Sequence, residues 1–242
     1  MEQFLRPTNL LDFNHDKIKQ LIASRAWRSL PHTERIASIY DFVQNQITFG
    51  YNEADDLPAS RVLADGIGQC NTKTTLLMAL LRSCEIPCRF HGFTIDKALQ
   101  KGAISGLAYA LAPRSIIHSW VEVWHQDRWI NLEGFILDKP YLSSVQKQFT
   151  EIKGAFCGYG ISTKSLLQPD IEWRGTDTYI QKEGINHDFG VFDAPDDFYL
   201  KHGSNLSGIK RFLFLHWIRK SLNHRVQNIR QGNWSSIKLP HK

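Results

Sequence analysis

The sequence predicts an α+β fold in which a nucleophile-bearing helix packs on an antiparallel sheet and a mixed segment follows, and three observations carry that expectation. A glycine-rich turn leads into Cys70 at the start of an apolar helical stretch, DGIGQCNTKTTLLMALLRS. A β-branched and aromatic run, IIHSWVEVW, brings His118 in 48 residues after the cysteine (118 − 70). A second such run, RWINLEGFILD, follows a polar turn at Gln126-Asp127 and completes a hairpin.

Taken in order, residues 15–48 read as two helices and a short strand. Residues 70–83 read as the nucleophile helix, because Leu76, Leu77, Leu80 and Leu81 recur at the spacing that buries one helical face. Gly66 and Gly68 allow a tight turn before it. Residues 87–95 read as a strand, and the small-residue stretch 97–113 as a short helix or a lid over the site. The hairpin comes next. From Ser143 the pattern turns irregular, until Asp193-Ala194-Pro195 and Gly203 bracket a capped helix. A basic helix is expected from about Ile209 to Ile229, with Phe212, Leu215, Ile218, Leu222, Val226 and Ile229 on one face. Its simplest role is packing on the core. The expected division is a catalytic core over residues 1–145 and an extension over 146–242.

The chemistry starts from the thiol. A thiolate at a helix N-terminus is stabilised by unpaired backbone N–H groups and the positive end of the macrodipole. Cys70 is therefore the candidate nucleophile and His118 its candidate base. Alternation places His118, Trp120, Glu122 and Trp124 on one strand face. With an even-numbered loop, every cross-strand pair sums to an odd number, so Trp129, Asn131 and Glu133 share that face. Glu133 then lies opposite His118 or one diagonal step away, about 5–8 Å at the Cβ atoms. That makes Glu133 the candidate orienter, with Asp138 the alternative and Glu122 too far along its strand. Gln69 is a candidate donor to an oxyanion, beside the backbone N–H of Cys70.

These residues resemble the transglutaminase-like superfamily of cysteine enzymes, whose core is papain-like. The resemblance covers roughly residues 34–140 and rests on Gly68-Gln69-Cys70, Ile86-Pro87-Cys88-Arg89, His118-Ser119-Trp120-Val121-Glu122-Val123 and the RWINLEG strand. Glu133 stands where the family usually has aspartate; it is one methylene longer and keeps the acceptor chemistry. The resemblance implies that a thioester on Cys70 passes its acyl group to water or an amine. The outcome is amide hydrolysis, deamidation or amide-bond formation on a peptide, protein or small amide or thioester substrate. Alternatives are a small-molecule amide synthase in a biosynthetic pathway and a non-catalytic binding module on the same fold. Papain-like proteases are disfavoured because their histidine lies about 130 residues or more after the cysteine. The peptide N-glycanase relatives often carry CxxC pairs, which this chain lacks. Large calcium-dependent animal transglutaminases carry several β-sandwich domains, which 242 residues cannot contain.

Composition fits an ordinary enzyme: 242 residues, 42% hydrophobic, with seven Trp. The net charge of +5 invites a nucleic-acid partner, but no zinc-finger, helix-turn-helix or RNP pattern supports one, and none is expected. The longest apolar run, LLMALL, is far short of the ~20 residues that span a bilayer. No signal-like N-terminus is visible, so a cytoplasmic location is expected, where Cys70, Cys84, Cys88 and Cys157 stay reduced. His187, Asp188, Asp193 and Asp196 are conceivable metal ligands, but helix capping explains Asp193 without a metal. Neither metal nor cofactor is expected.

Overall fold

The structure is a computed structural model, and it describes residues 1–104, 106–205 and 214–236. Helices α1 (Asp16–Arg25) and α2 (His32–Asn45) are followed by strand β1 (Thr48–Phe49), helix α3 (Ala59–Asp65) and strand β2 (Ile67–Gly68). The two short strands pair in parallel and align the approach to helix α4 (Cys70–Ser83). Gly66 ends α3 in the left-handed conformation at φ 65°, which an L side chain rarely adopts. Gly68 serves differently, since a Cβ there would sit 2.7 Å from Lys73 Cγ.

Helix α4 is the centre of the molecule. Its leucines predicted one buried face, yet all fourteen of its residues are buried. Several of the polar ones survive burial by finding partners. Lys73 Nζ donates to the carbonyls of Gln44 (3.2 Å) and Ile136 (3.0 Å), and Thr74 Oγ1 donates to the Ser119 carbonyl (3.2 Å). Arg82 donates to the carbonyls of Arg6, Cys88 and Asp193. Burial without a carboxylate in contact pushes the Lys73 amine down to about 7.

Against α4 packs a four-stranded antiparallel sheet in the order β5-β4-β3-β8. Its strands are β3 (Cys88–Asp96), β4 (Ser115–His125), β5 (Arg128–Leu132) and β8 (Ile185–Phe192). Phe90, Val121, Val123, Ile130 and Leu132 of this sheet belong to the same buried core as Leu77, Leu80 and Leu81 of α4. The hairpin turn falls at Gln126 and Asp127, whose φ values of 49° and 59° suit a two-residue turn matching the twist of the strands. Trp124 pairs with Trp129 and Glu122 with Asn131, so the pairs do sum to an odd number.

Between β3 and β4 lies a short helix, α5 (Gly106–Leu111); after β5 come α6 (Lys139–Gln148) and the small hairpin β6 (Phe156–Gly158) and β7 (Ile161–Thr163). Helix α7 (Pro195–His202) starts one residue later than the Asp193 cap implied. Ala194 occupies the cap position, and Asp197 closes the turn by accepting from the Ala194 N–H (3.2 Å). Gly203 ends α7 at φ 71°. The late basic helix is shorter than expected: a π-helical turn over Phe214–Ile218 precedes α8 (Arg219–Arg230). Positions 209–213 lie outside the described residues. Leu222, Val226 and Ile229 of α8 are buried, and the helix packs on α6.

The boundary at residue 145 does not divide the structure. β8, from the later segment, is a full member of the sheet and pairs with β3. Among the described residues, no helix is long and apolar enough to cross a membrane.

Candidate active site

Cys70 is the first residue of α4 and is 8% exposed. The turn that presents it is held by backbone as much as by side chains. The Gln69 N–H donates to Thr72 Oγ1 (3.1 Å), and the Gly50 N–H donates to the Gly68 carbonyl (3.1 Å). Gln69, a candidate oxyanion donor, is spent elsewhere. Its Oε1 accepts from the Asn52 N–H (2.9 Å), and its Nε2 donates to the Ala54 carbonyl (3.4 Å) and Asp55 Oδ1 (3.3 Å). Both amide hydrogens are therefore used in fixing the 52–55 loop. The other candidate donor is the backbone N–H of Cys70, in the first turn of α4.

His118 lies on β4, wholly buried, and its Nε2 donates to Glu133 Oε1 at 2.7 Å. The strand register explains the meeting. It carries Trp120 to the level of Glu133, so His118 reaches the carboxylate on the diagonal. Glu133, also wholly buried, has its second oxygen held by three successive backbone N–H groups, those of Ile180 (2.9 Å), Gln181 (3.0 Å) and Lys182 (3.1 Å). Thr178 fastens the neighbouring backbone: its carbonyl accepts from the Glu133 N–H (3.0 Å), and its Oγ1 accepts from the Gly134 N–H (3.2 Å).

The imidazole is poised by competing effects. Burial pushes the His118 pKa down, but Cys70 and Glu133 outweigh it and raise it to about 9. With Nε2 taken by Glu133, the buried Nδ1 is the ring nitrogen left to face the Cys70 thiol. Asn71 ties the two halves together. Its Nδ2 donates to the Ile117 carbonyl (3.1 Å) and its Oδ1 accepts from Ser119 Oγ (3.0 Å), so it grips β4 on both sides of His118. Sequence reasoning missed Asn71, although an Asn beside a candidate nucleophile, buried at 1% exposure, has to find polar partners.

Asp138, the alternative orienter, sits elsewhere. It caps α6 by accepting from the Tyr141 N–H (3.0 Å), accepts from the Phe49 N–H (2.8 Å) and is clasped by Arg230 Nε (2.9 Å) and Nη2 (2.8 Å). Burial alone would raise its carboxyl; Arg230 and the two N–H groups overcome this and hold it below the usual value. Glu122 is engaged by Arg89 (2.6 Å) and His91 Nδ1 (2.6 Å), away from His118. Cys84 and Cys88 are buried in the core, where burial pushes both thiols up to about 11. A cleft opens on Cys70, bordered by Tyr51, Asn52, Asp55, Gln69 and Asn71 and walled further out by Ile104, Ala108 and Ile117.

Residues 21–134 match the model of the transglutaminase-like superfamily. No curated protein matches the chain. Among solved structures, a candidate cysteine protease from Cytophaga hutchinsonii is similar at 14% identity and a TM-score of 0.44, with 80% of this chain and 47% of that one covered. Red sea bream transglutaminase is similar at 18% identity and a TM-score of 0.30, with 55% and 26% covered. The chain thus spans less than half the length of either. The matched segment, just under half of the chain, runs from α1 through α4 and the hairpin to the residue after Glu133, and over it the chain is similar to the transglutaminase-like superfamily.

Proposed function

We propose that the chain is a cysteine-dependent acyl-transfer enzyme in which Cys70, His118 and Glu133 act together. The observation that carries this reading is the buried Nε2–Oε1 bond of 2.7 Å between His118 and Glu133, which leaves the other imidazole nitrogen to the helix-start thiol. In this reading, Nδ1 takes the proton of the Cys70 thiol and Sγ attacks an amide or thioester carbonyl carbon. The developing oxyanion is met by the backbone N–H of Cys70. As the tetrahedral intermediate collapses, the bond to the leaving amine or thiol breaks and the imidazolium returns its proton to that group. The acyl group is left as a thioester on Cys70, and water or an amine, deprotonated by His118, then releases it. Glu133 keeps the imidazole in the required tautomer and favours its cationic form.

Cysteine enzymes are typical of this superfamily, which supports the reading; the donor and acceptor belong to the proposal. The test is intact-mass trapping. A simple acyl thioester mixed with the protein should add one acyl mass, mapped to the Cys70 peptide, and Cys70→Ala should abolish the adduct with circular dichroism unchanged. Acylation first at Cys157, which is exposed, would overturn the assignment.

A further inference from the structure

The cleft beside Cys70 combines a candidate nucleophile with walls whose surface is mostly apolar. Its volume is about 140 Å³. Ile104, Ala108, Ile116, Ile117, Phe214 and Leu222 line it, from three separate stretches of chain. The polar groups that reach it are largely paired with one another. Tyr51 Oη donates to Gln100 Oε1 (2.9 Å), Asn71 Nδ2 to Asp55 Oδ1 (3.0 Å), and Asn205 Nδ2 to Asp55 Oδ2 (2.9 Å). Among the described residues, no Lys, Arg or His lines the cleft, and its charged members are Glu53 and Asp55. The described wall thus offers a carboxylate no cation and sets Glu53 and Asp55 against it.

Which part of a substrate enters is set by the proton. A leaving group, and later an acceptor, must exchange a proton with His118 and so lies on the imidazole side of Sγ. Cys70 lines the cleft whereas His118 does not. The cleft is therefore on the side of the moiety that stays on the sulfur. Resting on the acyl-transfer reading above, we infer that the cleft is an acyl-group pocket selective for an uncharged, apolar acyl chain carried into the thioester on Cys70. The step balances: the Cys70 Sγ–carbonyl bond forms, the donor's carbonyl–leaving-group bond breaks, and the thiol proton passes through His118 to the departing thiol.

A series of N-acetylcysteamine thioesters tests this, with the acylation rate of Cys70 read by intact mass. At roughly fourfold for each buried methylene, hexanoyl should acylate about 10²-fold faster than acetyl. Succinyl, with its terminal carboxylate, should be slower than hexanoyl by at least as much. Ala108→Phe fills the cleft and should collapse the hexanoyl-to-acetyl ratio toward one. Equal rates across the series, a preference for succinyl, or a ratio untouched by Ala108→Phe would overturn the pocket while leaving Cys70 the nucleophile. If no donor acylates Cys70 at all, the acyl-transfer reading itself is overturned.

Discussion

The extra methylene of Glu133 is accommodated by where its backbone starts. Placed diagonally from His118, the longer side chain reaches Nε2 while its other oxygen meets three N–H groups. Glu133→Gln should then lower acylation of Cys70 by about 10²-fold or more, by losing the charge that supports the imidazolium. Glu133→Asp should retain part of the activity. Asp138→Asn should leave the acylation rate of folded protein close to wild type while lowering its melting temperature, because Asp138 serves Arg230 and two N–H groups instead of the imidazole. Rapid-mix kinetics with thermal melts separate the three. Asn71→Ala removes the grip on both sides of His118 and should cost about 1–3 kcal/mol of stability, together with a 10- to 100-fold fall in acylation. Wild-type kinetics in that variant would show that Asn71 does not hold the site together. The candidate residues were legible because each pairs a chemical type with a local pattern: a thiol after Gly68-Gln69, an imidazole on an alternating strand, a carboxylate fixed by the parity of a hairpin. The role of Gln69 was not, since its Asn52 and Asp55 partners come from a loop that precedes it by about a turn of chain reversal and has no helical or strand period to place it.

At the level of elements, α4 and the first hairpin strand were readable at close to their observed bounds, because their periods differ and turn residues punctuate them, whereas the second strand stops at Leu132, short of the run that reaches Asp138. The burial of α4 on every side was not. Lys73, Thr74 and Arg82 look like a solvated face until carbonyls from α2, β4, the loop after β5 and the N-terminal segment close around them. Lys73→Met should therefore be tolerated better than Lys73→Ala, which leaves a cavity as well as two unpaired carbonyls; urea melts of the pair would measure the difference, expected at about 1–3 kcal/mol. A smaller loss in the alanine variant would contradict this account of the helix. The 178–182 strap was likewise invisible, because it has neither helical nor strand period and acts through backbone N–H groups that carry no signature in the side chains.

For the molecule as a whole, the chain after residue 145 completes the structure it was expected only to cover. It supplies the edge strand β8, the N–H groups that hold Glu133, and Arg230, which locks α8 onto Asp138. That sheet membership is non-local and no local pattern announces it: β8 has no buried residue along INHDFGVF and reads as irregular. Arg230→Ala should destabilise the protein by about 3–5 kcal/mol, because Asp138 is left buried and charged. A loss within 0.5 kcal/mol by calorimetry would show that α8 is held by its apolar face alone. The site also ties stability to pH. Because folding raises the His118 pKa from 6.5 to about 9, its contribution is fully present below about pH 6.5 and is lost as pH rises through 9. The melting-temperature gap between wild type and Glu133→Gln should therefore shrink between pH 6.5 and 9.5, and a gap that widens over that range would contradict the pairing.

The central claim is that His118 activates Cys70, and it is tested most directly by His118→Gln, whose amide can still donate to Glu133 and so avoids stranding a buried carboxylate. The measurement is the rate at which a thioester acylates Cys70, followed by intact mass at neutral pH in protein shown to be folded. The predicted result is a fall of about 10³-fold or more relative to wild type. Acylation within about tenfold of wild type would show that the thiol acts without the imidazole, and the Cys70–His118–Glu133 account would be wrong.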